Sequence, residues 1–315
     1  YGERMASWWF DLVRFANTVG YHGDQDHSVT PYRDYVIKSF NENVPFDQFT
    51  IEQLAGDLLE TPTLWQRVAT GYLRLNQTTH EGGAQDAEYL AKSLADRVRN
   101  LSEAWMAASL GCAECHDHKF DPYTQKEFYQ MEAFFADVDH YGEYSPVGGN
   151  TLPTSRPPQI LAWTLPIYEQ CQQLDEQIAA SEAKVAGARM NELANLQKEL
   201  VELKTKRVQL EGQFIPQMIV AAIEPREIRV LPRGDWLDRS GEIVSPQTTE
   251  CLPALGVEQR RATRLDLARW LVHDDHPLTA RVVVNRLWNR YFGQGFTTVL
   301  IDIGSQTEPP THQAL

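Results

Sequence analysis

Residues 109–123 read SLGCAECHDHKFDPY, and within them Cys112, Cys115 and His116 form the motif C-x-x-C-H. Attachment of a c-type haem needs two thiols, which add across the vinyl groups of the porphyrin, and an adjacent histidine that binds the iron. This spacing supplies all three groups from one helical turn. The stretch therefore favours a covalently attached haem c in a helical setting.

Three other uses of this cluster are open. A zinc or iron–sulfur site would combine the same three residues with His118, but such sites normally take further ligands from a distant segment. The chain has no second C-x-x-C and no H-x-x-x-H. A thioredoxin-like redox pair would need a βαβ setting, whereas the flanking sequence is helical. A pair of buried structural thiols is the third alternative.

The composition limits the classes of partner. The chain has 315 residues, a formal net charge of −14 and 42% hydrophobic residues. That length predicts two or three structural units, and the apolar fraction suffices for a core. The acidic balance argues against nucleic acid and anionic membranes, and no apolar run is long enough to span a bilayer. Four cysteines make no disulfide framework, so we expect Cys171 and Cys251 to be buried.

Outward from the motif, helical periodicity predicts a mainly α fold. The first helix is expected to end at Gly20, and the fifth to run unbroken from Asp86 into the motif. Thr124, followed by Glu127 three residues later, predicts a capped start for the sixth helix. The six predicted helices before residue 145 cover residues 5–20, 32–43, 45–59, 63–76, 86–111 and 124–138.

A segment rich in Gly, Pro and Ser interrupts the helices and predicts a domain boundary. We expect a helical haem-binding domain at 1–145, a linker at 146–164, an antiparallel coiled-coil hairpin at 165–212 that reverses near Gly187, and a C-terminal domain at 213–315. The C-terminal domain is expected to begin with short extended or β segments and to continue as helices, one of which starts at Pro277. Residues 273–276, HDDH, favour a polar turn over a divalent-metal site.

The stretches YGERMASWWFDLVRFA, YRDYVIKSFNENVPFDQFTIEQLAGDLL and LGCAECHDHKFDPYTQKEFYQMEAFF carry a family resemblance. They resemble planctomycetal cytochrome c-type proteins, in the domain of unknown function with the signature C-x-x-C-H-D-H-K-[FY]-D-P. RLDLARWLVHDDHPLTARVVVNRLWNRYFGQGF resembles the companion domain that follows it. The resemblance covers nearly the whole chain, with the hairpin as a variable spacer, and implies an internal fragment of a larger protein.

The resemblance implies an exported, cytochrome-like protein, of a family often encoded with sulfatases and other glycan-degrading enzymes and without an established activity. By position, Cys112 and Cys115 would be thioether anchors and His116 the proximal ligand of the iron. His118 belongs to the same cofactor site, where we expect it to cap the loop or support a neighbouring ligand. Haem attachment takes place outside the cytoplasm, so a periplasmic or similar location is expected.

The ligand on the opposite face of the iron is not identified by the sequence. The weak candidates are His22, His27, His80 and Met131. If that face is open, the loop HEGGAQDAEY would form its wall, with Glu81 and Asp86 as weak candidates for acid–base groups. Each histidine is also consistent with an ordinary solvated loop residue.

We therefore expect an extracytoplasmic protein with one haem c, acting in electron transfer or in redox chemistry on a small or glycan-derived molecule. Its partner would be a redox protein or such a substrate. One alternative is a non-haem metal-dependent enzyme that uses His116 and His118. The other is a structural or glycan-binding module, and whether the chain is an enzyme is open.

Overall fold

The fold is mainly helical, as expected. The computed structural model describes residues 1–21, 24–79, 83–140 and 156–312. Helices of the first part are α1 (Gly2–Leu12), α2 (Thr30–Asn41), α3 (Phe46–Ala55), α4 (Leu64–Ala69), α5 (Asp86–Leu101) and α6 (Gln125–Glu132). Short 3-10 turns at Gly56–Leu58, Thr70–Arg74, Leu110–Glu114 and Ala133–Asp137 connect or extend them.

Aromatic side chains with hydrogen-bonded polar tips form the centre of this helical part. Trp9 and Trp105 are fully buried and meet edge to face, with ring centroids 5.3 Å apart. The Trp9 indole donates to Gln53 Oε1 at 3.1 Å, and the Tyr32 hydroxyl donates to the same oxygen at 2.6 Å. The Trp105 indole donates to Thr50 Oγ1 at 2.8 Å. Large apolar surfaces are thus buried without leaving their polar atoms unpaired.

All six predicted helices end earlier than expected, α1 and α5 by the largest margins. α1 ends at Leu12 rather than Gly20, and Arg14 adopts a left-handed backbone conformation with φ +58°. α5 ends at Leu101 and continues as a π turn, Ser102–Met106, after which Ala107 has φ +43°. The helix therefore stops before the C-x-x-C-H motif, which begins on the 3-10 turn Leu110–Glu114.

The backbone carbonyl groups at the end of the π turn accept hydrogen bonds from the C-terminal region. The Arg286 guanidinium donates to the carbonyls of Glu103 and Ala104, and the Ile303 N–H donates to the Ala107 carbonyl at 2.8 Å. Carbonyls that a regular helix would leave open thus find partners nearly two hundred residues further along the chain. This is why local periodicity did not predict where the helix ends.

The middle of the chain is a helical hairpin inserted into a pair of strands. β1 (Gln159–Ala162) pairs antiparallel with β2 (Ile215–Met218), and between them lie α7 (Leu165–Gly187) and α8 (Met190–Glu211). Ion pairs join the helices in antiparallel order, Asp175 to Arg207 at 2.9 Å and Glu182 to Lys204 at 2.7 Å. β1 begins inside the segment predicted as a linker.

The base of the hairpin is anchored and the rest projects into solvent. The Leu165 N–H donates to Asp34 Oδ2 at 2.6 Å, and Tyr168 packs against Trp65 with centroids 5.2 Å apart. In α7 only Cys171 and Ser181 are buried, and in α8 no residue is. The hairpin therefore contributes little to the main core.

The C-terminal part contains β3 (Ile228–Arg229) paired with β4 (Ile243–Val244), then α9 (Arg264–Leu271) and α10 (Thr279–Phe292). α10 begins two residues after Pro277 rather than at it. Arg264, fully buried at the start of α9, donates to both oxygens of Asp57 at 2.8 Å and to those of Asp137 at 2.7 and 3.1 Å. It also donates to the Leu54 carbonyl at 2.9 Å.

We predict that Arg264→Leu is strongly destabilising. It would leave two largely buried carboxylates without their cation, a change that typically costs about 3–5 kcal/mol. The matched control is Arg260→Gln, which removes the exposed guanidinium that pairs with Asp266 on the same helix and should change stability much less. Urea unfolding measures both, and equal midpoints for the two variants would contradict the prediction.

We also predict that most of the hairpin is dispensable for the stability of the body. Replacing residues 176–206 by Gly-Ser-Gly between the paired Asp175 and Arg207 should shift the thermal midpoint by no more than about 5 °C, because almost nothing buried is removed. The control Tyr168→Ala, at the base, should lower the midpoint. Loss of cooperative unfolding in the shortened chain would disprove the idea.

Candidate functional site

The 3-10 turn Leu110–Glu114 presents the motif at the surface. Leu110 and Ala113 are buried on its inner side. Cys112 and Cys115 are exposed and not bonded to each other, and His116 is also exposed. The turn therefore directs two free thiols and one imidazole to solvent and keeps its apolar side chains inside, which rules out a pair of buried structural thiols.

Helix α6 holds this turn from behind. The Tyr129 hydroxyl and the Gln125 side-chain amide donate to the Glu114 carbonyl at 3.0 and 2.9 Å. Both also donate to the Leu231 carbonyl, at 3.3 and 3.1 Å. Burial raises the pKa of Tyr129, so its hydroxyl keeps the proton that it donates. The same two side chains on α6 therefore hold both the motif turn and the segment around Leu231.

The last turn of α5 contributes a charged contact. Arg99 forms an ion pair with Glu114, and its side-chain carbons lie against Gly111, where a Cβ atom would come within 2.6 Å of Arg99 Cγ. Burial also raises the pKa of Glu132, on α6, well above its usual value, and the charge of the nearby Arg99 acts in the opposite direction.

A segment from much later in the chain approaches one thiol closely. Gly234 has φ +73°, and a Cβ atom placed on it would lie 2.9 Å from Cys115 Sγ. Glycine is required there both by the left-handed backbone and by the nearby sulfur. The 3-10 turn Pro232–Gly234 therefore forms one side of the site.

His116 has the arrangement expected of a metal ligand. Its Nδ1 lies 2.7 Å from the Asp117 carbonyl oxygen, which can only accept, so in the neutral ring the proton is on Nδ1. That leaves Nε2 with a free lone pair on an exposed ring. A hydrogen bond from the non-ligating ring nitrogen to a carbonyl is the usual way in which proteins orient a ligating histidine.

His118 behaves in the opposite way. Its side chain is only 4% exposed, its Nδ1 accepts from the N–H groups of Phe120 and Asp121 at 3.2 and 2.8 Å, and its Nε2 lies 3.1 Å from Ser109 Oγ. Both ring nitrogens are therefore engaged within the loop. This contact pattern agrees with the expected capping role and leaves no ring nitrogen for a metal.

The remaining polar residues of the signature also hold loops together. Asp117 Oδ1 accepts from the Gln125 N–H at 2.8 Å, and Asp121 Oδ1 accepts from the Ser305 N–H at 2.7 Å. Thr124 and Glu127 form the predicted capping box of α6, and Glu127 Oε1 also accepts from the Glu250 N–H at 2.6 Å. The signature loop is thus joined to two later segments of the chain.

The weak distal and acid–base candidates that the structure describes are not brought to the motif. His27 is buried, with Nε2 bonded to the Ala16 carbonyl at 2.8 Å, and Met131 is fully buried in the core, so neither can reach an exposed iron without rearrangement. Asp86 is exposed at the start of α5, about 20 Å along that helix from Arg99. His22, His80 and Glu81 lie outside the described residues.

The other expectations about metals and thiols have mixed outcomes. Within residues 1–21, 24–79, 83–140 and 156–312, no three His, Cys, Asp or Glu side chains are grouped to hold a metal ion. Cys171 is buried as expected. Cys251 is exposed, contrary to expectation, because it lies in an irregular segment on the surface rather than in a helix.

Sequence reasoning did not identify several residues that build the site. Gln125, Tyr129 and Gly234 had no local signal, because their roles depend on contacts between distant segments. The ion pair between Arg99 and Glu114 was not predicted either. The tight conformations at Gly111 and Gly234 are visible in the sequence only as glycines.

Two regions of the chain match known families. In the described part of the chain, no helix is long and apolar enough to cross a membrane. No curated protein and no solved structure gave a match. Residues 1–140 match the family model PSCyt2, Protein of unknown function (DUF1549), and residues 263–315 match PSD1, Protein of unknown function (DUF1553). These two regions are therefore similar to domains of unknown function that are typical of planctomycete proteins.

Proposed function

We propose that this chain carries one haem c, bound through Cys112 and Cys115 and ligated by His116, and that it serves in extracytoplasmic electron transfer or haem-based redox chemistry. A bound haem would supply an iron centre that gains or loses one electron. The protein's own residues would anchor, orient and partly shield it. The partner would be a redox protein or a small or glycan-derived molecule.

The observation that carries this proposal is the hydrogen bond from His116 Nδ1 to the Asp117 carbonyl. In the neutral ring it leaves Nε2 without a proton, on an exposed side chain that follows two exposed free thiols in the sequence. His118 provides the comparison within the same loop, since its two nitrogens are both engaged in holding the backbone.

The contacts around the 3-10 turn Leu110–Glu114 hold its backbone in place, which supports its proposed role in anchoring haem. Tyr129 and Gln125 fix the Glu114 carbonyl, and Arg99 packs on Gly111. These contacts come from α5 and α6, so the backbone between the two cysteines is held by rigid helices rather than by other loops. Because the positions of both thiols are fixed in advance, the two sulfurs are suited to attachment at two points of one planar porphyrin.

The alternative of a non-haem metal site has less support. It needs His118 as a ligand, and the ring of His118 is turned into the loop. The described residues also offer no group of three potential ligands around an ion. A structural or glycan-binding role stays a prediction, with no specific contact in its favour.

We predict that the chain, exported together with the haem-attachment machinery, gives the pyridine haemochrome spectrum of thioether-linked haem. Cys112→Ala and Cys115→Ala should each remove one linkage and shift that spectrum toward a haem with one free vinyl group. The double variant should retain no covalent haem after denaturation.

Two controls make this experiment decisive. Cys251→Ala removes another exposed thiol and should leave the spectrum unchanged. His118→Gln should lower stability by weakening the loop, while the haem stays attached. A wild-type protein that folds without covalent haem after export with the machinery would refute the proposal.

We further predict that neither His27 nor Met131 would ligate a bound haem. Carbon monoxide should bind the reduced protein and change its absorption spectrum, because the described candidates His27 and Met131 are buried in the body of the fold. Met131→Leu should bind carbon monoxide like the wild type. A reduced spectrum unaffected by the gas would indicate a sixth protein ligand instead.

A further inference from the structure

Helix α10 carries its apolar face on the outside of the protein. Val284 is 51% exposed, and Tyr291 and Phe292 are each 67% exposed. Leu287 and Trp288 are partly buried and lie on the same side, because residues three, four and seven positions apart share one side of a helix. The five residues Val284, Leu287, Trp288, Tyr291 and Phe292, here called the outer face of α10, are all apolar or aromatic.

The opposite side of α10 packs on the body mainly through polar groups. Its buried residues are Thr279, Val282, Asn285 and Arg286. The Asn285 side chain donates to Thr297 Oγ1 at 2.9 Å and accepts from the Thr297 N–H at 3.1 Å. Arg286 donates to the carbonyls of Glu103 and Ala104. A surface helix of a globular protein normally shows the reverse arrangement, with its apolar stripe turned inward.

The aromatic rings of the outer face pack against one another. The ring centroid of Trp288 lies 4.4 Å from that of Phe292 and 4.4 Å from that of Phe296. Gly293 ends the helix with φ +81°, a left-handed conformation that turns the chain back so that Phe296 can reach Trp288. The outer face is therefore one connected surface, and exposed apolar surfaces of this kind commonly mark interaction sites.

The charge that borders the outer face is positive. Residues 277–301 contain three arginines and no acidic residue, although the whole protein has a formal net charge of −14. Arg281 and Arg290 are exposed, and neither forms an ion pair with any residue that the structure describes. Arg290 donates to the Arg4 carbonyl at 2.7 Å, which leaves its charge uncompensated. The two positions lie about 14 Å apart along the helix axis.

This distribution of charge selects among the possible occupants of the outer face. If two copies paired their α10 helices antiparallel, Arg281 of each copy would lie near Arg290 of the other, and a parallel pair would bring each arginine close to its own copy. Like charges that face each other across an interface are unfavourable. An anionic bilayer would attract the two arginines but repel the rest of this acidic protein. An acidic helix meets neither obstacle.

We propose that the outer face of α10 is a docking surface for an amphipathic helix of a partner, whose apolar stripe is bordered by acidic residues. Its apolar side chains would cover Val284, Trp288 and Tyr291. Its carboxylates, one near each end, would pair with Arg281 and Arg290. An apolar stripe laid on an apolar surface is a common mode of helix recognition. This inference does not depend on haem, since none of its residues belongs to the cysteine turn.

Fluorescence anisotropy on the full chain tests the proposal with labelled helical peptides of about 20 residues. The acidic peptide carries a stripe of leucines at helical spacing and two border glutamates about 14 Å apart. The basic peptide has lysines in place of these glutamates, and a third peptide has the composition of the acidic one with its leucines spread around the helix. The acidic peptide should bind, the basic peptide should bind at least about 5-fold more weakly, and the third should not bind.

Reversal of charge tests the two arginines. Arg281→Glu combined with Arg290→Glu should weaken binding of the acidic peptide by about 10-fold and strengthen binding of the basic peptide. The control combines Arg189→Glu with Arg239→Glu, which makes the same change in net charge at exposed positions outside α10. This control should keep the preference of the wild type for the acidic peptide.

A serine substitution tests the apolar contact. Val284→Ser should weaken binding of the acidic peptide by about 5- to 10-fold. The matched control is Val201→Ser on α8, where the valine is 63% exposed, and it should bind like the wild type. Because both valines are exposed, both variants should fold normally, which their thermal midpoints verify.

Several results would overturn the proposal. These are absence of binding by the acidic peptide, equal binding of the acidic and basic peptides, or equal affinities of Val284→Ser and Val201→Ser. A dimer in analytical ultracentrifugation that Val284→Ser dissociates would assign the outer face to a second copy instead. Sedimentation with phosphatidylglycerol vesicles that the same substitution abolishes would assign it to a membrane surface.

Discussion

The buried guanidinium of Arg264 is the interaction on which the arrangement of the chain depends. It joins α9 to Asp57, after α3, and to Asp137, at the end of the 3-10 turn that continues α6. A cation without these carboxylates, or the carboxylates without the cation, would be very unfavourable in a buried position. The two family-matched regions are therefore held together by charge as well as by packing. Helix α6 is fixed at its end by this cluster and at its start by the Thr124 capping box.

The signature of the first region divides into two functional groups of residues. Asp117, His118 and Asp121 are directed toward the backbone and hold loops in place. Cys112, Cys115 and His116 face solvent and have no such structural task apart from the orienting bond of His116. This division explains why so long a motif accompanies so few groups of chemical interest. Most of it maintains the shape of one loop and its contacts with α6 and with the segment around Ser305.

The features that the sequence predicted are those that depend on near neighbours. The capping box at Thr124, the helical hairpin and the mainly α class follow from short-range spacing, which the chain keeps wherever it folds. The π turn that ends at Ala107 depends on Arg286 and Ile303, and the shape of the cysteine site depends on Gly234. Such contacts between distant residues produce no periodic pattern in the sequence. For the same reason the motif identified the candidate ligands, while the residues that support them became visible only in three dimensions.

The hairpin formed by α7 and α8 leaves the body at Ala162 and returns at Ile215, which are paired neighbours in the small sheet. Since its two ends are fixed side by side, the closure entropy that the insertion imposes depends only weakly on how many residues it contains. Evolution can therefore add or remove whole helical turns there without disturbing the rest of the molecule. The same geometry makes the tip, near Gly187, a suitable place to attach a fluorophore or an affinity tag.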